Sequence, residues 1–277
     1  MPIKNNLPIP REVQSIVQQV SRGVSASLFG LSLGEKTYLA AGMQDFVLYV
    51  TADYYLASQA YNQLSHLCNA ALLPAIPDLL TYKQGATEEI FFRRIDALNK
   101  LTNSTLDVLV ISVQSLCELF PKKSDIQDHI INISQNQTQS LDSIVSKLQS
   151  GGYKRVPLAS TPGTFALRGD ILDIYPYLSE PVRVEFFGDL VESIMTYSPS
   201  SQTRLKSLQS VTIYPTTEFF ISQERIEKLK QEIPAKRNPK LEPDAKSRQD
   251  RIIDEIIFKL EAQSIDNSLV YISYILD

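Results

Sequence analysis

The stretch Gly163-Thr-Phe-Ala-Leu-Arg-Gly-Asp-Ile-Leu-Asp-Ile-Tyr-Pro-Tyr-Leu-Ser-Glu-Pro-Val-Arg-Val-Glu-Phe-Phe-Gly-Asp189 decides how this chain is read. It predicts two strands joined by a short turn. In the second strand Val182, Val184 and Phe186 fall on one face, and Arg183, Glu185 and Phe187 on the other. The apolar face calls for a core. A phenylalanine beside an arginine on the opposite, water-facing side calls for another explanation. The first strand contributes Arg168, just before a Gly-Asp pair that signals a bulge or bend. Two readings stand side by side. Arg168 and Arg183 can pair with Asp170, Asp173 or Glu185 on the sheet, with Phe187 under a loop. Alternatively, Arg168, Arg183 and Phe187 form a protein-docking hot spot on a rigid sheet.

Working outward, the chain has 277 residues, 43% hydrophobic and 21% charged, which suits one large or two ordinary globular domains. A net charge of −4 argues against broad, charge-driven binding to DNA. The two cysteines, Cys68 and Cys117, lie in apolar surroundings without metal-site spacing and are expected to be buried thiols. The two histidines, His66 and His129, fall in different expected domains, which speaks against a histidine dyad. No metal or cofactor is expected. With no leader-like segment and no run of membrane-spanning length, the expected setting is cytoplasmic.

The N-terminal part alternates helical and apolar segments. Val13, Ile16, Val17 and Val20 mark an amphipathic helix, and 26–41 a turn and helix. Phe46–Val50 reads as a buried strand and 54–67 as a helix. The apolar Leu72–Ile76 follows, then a helix over 87–101 and a continuous buried strand over 106–113. Strands apolar on both faces and alternating with helices predict a parallel sheet covered on both sides.

Residues 122–140 mark a boundary around a short strand, His129–Ile133. A helix over 141–149 ends at Gly151-Gly152, and strand pairs over 153–214 make a small α+β domain. Ser222–Ile233 reads as a serine-capped helix, followed by a basic linker bracketed by Pro234, Pro239 and Pro243. A helix over 246–263 then buries Ile252, Ile253, Ile256, Ile257 and Leu260. The apolar end, Leu269–Leu276, is expected to continue into a longer protein.

Gly30-Leu-Ser-Leu-Gly-Glu-Lys-Thr37 approaches the phosphate-loop pattern G-x4-G-K-[ST], with Gly30, Lys36 and Thr37 in place and Gly34 inside the loop. It fails at Glu35, where the pattern needs the glycine that lets the backbone approach phosphate. A carboxylate there opposes a phosphate charge at about 4 Å by ~4 kcal/mol at an effective dielectric of ~20. The acidic residue that would hold magnesium at the end of a buried strand is also missing, since Asp107 lies at the wrong end of 106–113. The loop reads as vestigial. Glu88-Glu89, Tyr54-Tyr55, Phe91-Phe92 and Ala235–Lys240 read as solvated faces, half-buried helix positions and a linker.

Gly163–Pro176, Pro181–Asp189, Glu192–Ile194, Ser198–Arg204 and Val211–Pro215 together resemble the second domain of the bacterial transcription-repair coupling factor family. The same pattern occurs in its relative, the excinuclease component UvrB. The resemblance implies a degenerate P-loop (RecA/UvrB-like) parallel-sheet α/β domain over 1–122. It implies a small inserted α+β antiparallel domain over 123–213, and a return segment over 214–277 that completes the first domain. It also implies that the second domain binds UvrA, another excinuclease component. The arginines and phenylalanine of that contact fall on Arg168, Arg183 and Phe187, with Lys154 and Arg155 at the rim. The same surface is expected to be masked by the C-terminal region of a full-length ATP-dependent translocase. RNA polymerase and DNA would be met through domains outside this chain. Pro77–Ile90 is too short for the DNA-wedging hairpin of UvrB, which favours the coupling factor. The alternatives are a UvrB-like nucleotide-dependent damage protein and a purely structural domain.

Overall fold

The computed structural model describes residues 11–76, 84–220 and 223–261. The chain divides into two compact units, Met1–Phe120 and Pro121–Asp277. Together they contain parallel and antiparallel sheets, a mixed α/β architecture.

In the first unit, helices α1 (Arg11–Ser21) and α2 (Leu33–Gly42) precede strand β1 (Val47–Thr51). Helix α3 (Tyr54–Leu67), strand β2 (Ala70–Leu73), helix α4 (Gln84–Thr102) and strand β3 (Val108–Ser112) follow. The three strands form a parallel sheet in the order β1-β3-β2, with Val108 level with both Val47 and Ala70. Central β3 is buried along its length, as its unbroken apolar run requires. Helix α3 starts on an Asp53 cap, whose carboxylate accepts from the Leu56 amide at 2.8 Å. It lays Ala57, Ala60 and Leu64, spaced one helical turn apart, onto Val108 and Val110.

Strand β1 corrects the expectation of a buried strand. Val47 and Tyr49 pack on the core with residues of α2 and α3, while Phe46, Leu48 and Val50 alternate to the other face of the pleat and are exposed. Strand β3 is also shorter than the apolar run 106–113. The Ser112 hydroxyl accepts from the Ser115 amide and starts the single turn α5 (Val113–Leu116). That turn is mostly exposed and carries Cys117 to the surface, so Cys68 is buried and Cys117 is not. Arg94, which the sequence reading passed over, has no exposed surface. Its Nη1 donates to Glu118 Oε2 at 2.7 Å and to the Pro74 carbonyl. The other Glu118 oxygen accepts from the Ile76 amide, so α4 and the chain at 118 are held through one buried ion pair.

The second unit begins with α6 (Lys123–Asp128), β4 (Ile131–Ser134), α7 (Leu141–Ser150) and the two-residue β5 (Lys154–Arg155). Then come β6 (Thr164–Arg168), β7 (Ile171–Tyr175), β8 (Val182–Phe187), β9 (Leu190–Tyr197), β10 (Arg204–Leu208) and β11 (Ser210–Ile213). Six of these strands form one sheet in the order β10-β9-β8-β7-β6-β5, antiparallel except at β5–β6, and β11 pairs with β4. The stretch 163–175, expected to be one strand with a bulge, is two strands. Gly169 at φ +59° turns the chain within the two residues Gly169-Asp170, and Gly188-Asp189 repeats the device with φ +60°.

One face of this sheet is the core. Phe165, Leu172, Ile174, Val182, Val184, Phe186, Val191 and Ile194 pack there with Ile144 and Leu148 of α7 and with Ile131, Ile133 and Ile213. Helix α8 (Gln223–Glu232), a 3-10 turn (Ile233–Lys236) and α9 (Pro243–Glu261) share a small cluster of Ile226, Leu229, Ile233, Ile253 and Ile256. Pro234 and Pro243 thus belong to helical elements, Pro243 as the first residue of α9, where its missing N–H costs nothing. Pro77–Lys83, the Ser222 cap, the Val13 and Leu260 side chains and Leu269–Leu276 lie outside the described residues.

Helix α7 ends as its Gly-Gly pair suggests. Gly152 sits at φ +92°, its amide donates to the Gln149 carbonyl, and the Tyr153 amide donates back to the Leu148 carbonyl. Tyr153 then enters the core and its hydroxyl donates to the Tyr214 carbonyl at 2.9 Å, joining the two ends of the domain. Burial pushes the Tyr153 phenol well above its ordinary pKa. A Cβ at position 152 would meet Thr216 Oγ1 and Thr217 Cβ at 2.9 Å, in a backbone conformation that L side chains resist. Gly152→Ala is therefore expected to destabilise the second unit by about 2 kcal/mol or more. Chemical denaturation measures this, and an unchanged midpoint would contradict it.

Candidate docking face

The strand register fixes which side chains share the outer face of the six-stranded sheet, because directly opposed residues point to the same side. Ala166, Asp173, Arg183 and Met195 form one row, and Arg168, Ile171, Glu185 and Ser193 the next. Phe187 opposite Leu190 lies beyond them, at the sheet end where both Gly-Asp turns stand. Arg168, Arg183 and Phe187 are thus on one face, but in different states. The side chain of Arg168 is 49% exposed and that of Arg183 only 11%. Phe187 is 78% exposed, so among the described residues no loop covers it.

The difference between the arginines has its cause in Asp173, which is fully buried. Its Oδ1 accepts from Arg183 Nε at 2.6 Å, and its Oδ2 accepts from Arg183 Nη2 at 2.9 Å and Arg168 Nη2 at 2.7 Å. A carboxylate this deep needs such partners. The hydrogen bonds to Asp173 raise the Arg183 pKa further above its ordinary value, outweighing the opposite effect of burial. Arg183 also lies over the Tyr197 ring, 5.2 Å from its centroid. Burial foremost, reinforced by the Asp173 charge, pushes the Tyr197 phenol up. Its hydroxyl donates to the Ala159 carbonyl at 2.7 Å.

Beside this network Glu185 is ion-paired with Arg204 and accepts from Ser193 Oγ at 2.8 Å. The sequence reading missed both Arg204 and Gln202, which receives two contacts from Arg183. Their signal was weak, a polar loop of serines and threonines whose closure onto the sheet depends on tertiary structure. Lys154 and Arg155 are exposed on the two-residue edge strand β5.

The phosphate-loop remnant lies in the first unit. Leu33 opens α2 and Ser32 caps it, its hydroxyl accepting from the Glu35 amide at 3.3 Å. The Glu35 carboxylate in turn accepts from the Ser32 amide and hydroxyl, both at 2.7 Å. This reciprocal cap puts the protein's own carboxylate at the helix N-terminus, the place where a phosphate would sit. The Thr37 side chain is turned inward, its hydroxyl 2.7 Å from Gln63 Oε1. Gly30 has φ +78°, Gly34 and Lys36 are exposed, and among the described residues no strand precedes the loop. Strand β3 ends without a carboxylate, and Asp107 accepts from the Asn69 amide instead. Among the described residues no cluster of His, Cys, Asp and Glu could hold a metal, and no helix is long and apolar enough to cross a membrane.

The hydrogen bonds from Ser32 hold the Glu35 carboxyl below its ordinary range. A lowered pKa in the folded state means that the ionised group stabilises the fold above the ordinary carboxylate pKa. That contribution is lost as pH falls through the lowered value. Glu35→Gln should thus melt at a lower temperature than the unaltered protein at neutral pH, and the two melting curves should converge in acid. Parallel melting profiles at all pH values would contradict the cap.

Comparison with known proteins places this geometry. The UvrB interaction domain family matches residues 131–219, the span that carries the outer face. The transcription-repair-coupling factor of Bacillus subtilis is 28% identical over 222 residues, covering 77% of this chain and 19% of that protein. A coupling factor of Staphylococcus aureus is 27% identical over 214 residues, 76% of this chain and 18% of its own length. The UvrABC system protein B of Thermosipho africanus is 27% identical over 242 residues, 79% of this chain and 36% of that protein. The chain thus spans about a fifth of the coupling factors and little more than a third of the UvrABC system protein. With a match to the UvrB interaction domain at its centre, the chain is similar over most of its length to segments of transcription-repair coupling factors and of UvrABC system B proteins.

Proposed function

We propose that this chain recruits the excinuclease component UvrA to damaged DNA marked by a stalled RNA polymerase, and that it does so without chemistry of its own. The observation that carries the reading is Phe187, a large apolar ring standing in water on the same sheet face as Arg168, within the UvrB interaction domain. An exposed aromatic on a rigid sheet face that also carries a guanidinium has the composition of an interface anchor. In this reading Arg168, Arg183 and Phe187 form the contact surface, with Lys154 and Arg155 at its rim. Arginine offers charge-assisted hydrogen bonds to acidic groups, and the ring fills an apolar recess.

The first unit is proposed to be a nucleotide-binding fold that has lost its nucleotide, with the α+β domain inserted into it. The Glu35 cap supports this, because an incoming phosphate would have to displace a carboxylate from the same amide. The proposal extends to regulation and setting. In a longer cytoplasmic translocase the outer face would be masked by the protein's own C-terminal region, and polymerase and DNA would be engaged by other domains. A second reading, a UvrB-like nucleotide-dependent damage protein, draws on the similarity to the UvrABC system B proteins. Saturable, Mg²⁺-dependent binding of a fluorescent ATP analogue would favour it.

Equilibrium titration against UvrA tests recruitment. Phe187→Ala and Arg168→Ala should each weaken binding by about 30-fold, or about 2 kcal/mol. Affinity unchanged by both substitutions would overturn the proposal.

A further inference from the structure

We infer that Asp173 is a positioning residue of the docking face, and that Arg183 acts through it rather than by touching the partner. The inference rests on the recruitment reading and refines it: the partner meets one guanidinium, that of Arg168, and one ring, that of Phe187.

The donor inventory supports this division. Arg183 directs Nε and Nη2 at the two oxygens of Asp173. Its Nη2 also reaches Gln202 Oε1 at 3.2 Å, its Nη1 approaches the Gln202 carbonyl at 3.4 Å, and its flat face is covered by Tyr197. A guanidinium has five N–H donors in a fixed fork. On Arg183 four of these donors are directed at Asp173 and Gln202, and only 11% of the side chain is exposed.

Gln202 is itself built into place. It holds the left-handed conformation at φ +58°, unusual for a residue other than glycine. Its amide donates to the Ser198 carbonyl at 2.7 Å and its side chain to the Pro199 carbonyl at 2.9 Å. The loop after β9 therefore closes over Arg183 as a formed structure.

Arg168 is the reverse case. It gives one Nη2 hydrogen bond to Asp173 and has half its side chain in solvent, which leaves donors for another molecule. A long exposed arginine is otherwise free to adopt many rotamers, and fixing one on binding costs affinity. The anchor that fixes it in advance is Asp173 Oδ2. That oxygen is held in turn by Arg183, whose two-point grip on both carboxylate oxygens fixes the orientation of the Asp173 side chain. The three groups carry a net charge of +1, from two arginines and one aspartate. Arg168 thus offers its remaining donors to an acidic group of the partner, and Phe187 its ring to an apolar recess.

The test has one reading that needs no partner and one that does. In ¹⁵N spectra of the arginine side chains of this 277-residue chain, the Arg168 Nε signal should be distinct in the unaltered protein. It should collapse toward the averaged position in Asp173→Asn. Arg183→Lys, which keeps the charge but loses the two-point grip, gives a second route if Asp173→Asn does not fold. An Arg168 signal unmoved by whichever variants fold overturns the positioning claim. In titrations against UvrA, Asp173→Asn should weaken binding about tenfold in the unaltered background, but by no more than about twofold when Arg168 is already alanine. Equal losses in both backgrounds also overturn the claim. If the unaltered chain does not bind UvrA at all, recruitment fails, and the spectra still decide whether Asp173 positions Arg168.

Discussion

The pleat of β8 is the constraint on which the second unit depends. Its odd and even residues cannot change sides without moving every neighbour, because the side-chain period of a strand is two. Val182, Val184 and Phe186 are locked into the core by Phe165, Leu172, Ile174 and the residues of α7. Arg183, Glu185 and Phe187 must then appear on the other face. A one-residue slip would put an arginine and a glutamate against Leu148 and Ile144, so the apolar packing on one side specifies the display on the other.

That display would still be loose without the buried carboxylate. An ion pair such as that of Asp173 with its two arginines adds little net stability over apolar residues of the same shape. Removing one partner, however, leaves a charge without compensation. The arrangement therefore acts on specificity of conformation. It selects one rotamer for Arg183 and draws the loop of Gln202 down. It also splits the two arginines into an internal clamp and an external group. Arg94 and Glu118 do similar work in the first unit, where a cation with no exposed surface joins a helix to two separate chain segments.

Much of this was legible in the residues because local rules and tertiary structure agree there. The alternation of β8, the Gly151-Gly152 stop of α7 and the span of α3 follow from pleat period, glycine conformation and capping, all local in sequence. What could not be read depended on partners distant in sequence. The exposure of Phe46, Leu48 and Val50 follows from which face of β1 is covered, a fact of tertiary packing rather than of composition. The exposure of Cys117 follows from Ser112 ending its strand early. For the outer face the sequence offered Arg168, Arg183 and Phe187 with two readings, and the structure contains parts of each. The arginines are paired on the sheet, as the plain reading had it, while Phe187 is uncovered, as the docking reading required.

The two units also illustrate opposite treatments of an exposed polar opportunity. At α2, the amides of Ser32 and Glu35 are each satisfied by the other's side chain. On the outer face of the sheet the balance is reversed: Asp173 and Gln202 together take most of the Arg183 donors, Asp173 takes one hydrogen bond from Arg168, and the Phe187 ring stands in water. A surface acquires binding capacity where internal satisfaction stops short. On this face it stops short at the Arg168 guanidinium and the Phe187 ring, on a sheet whose geometry the core has already fixed.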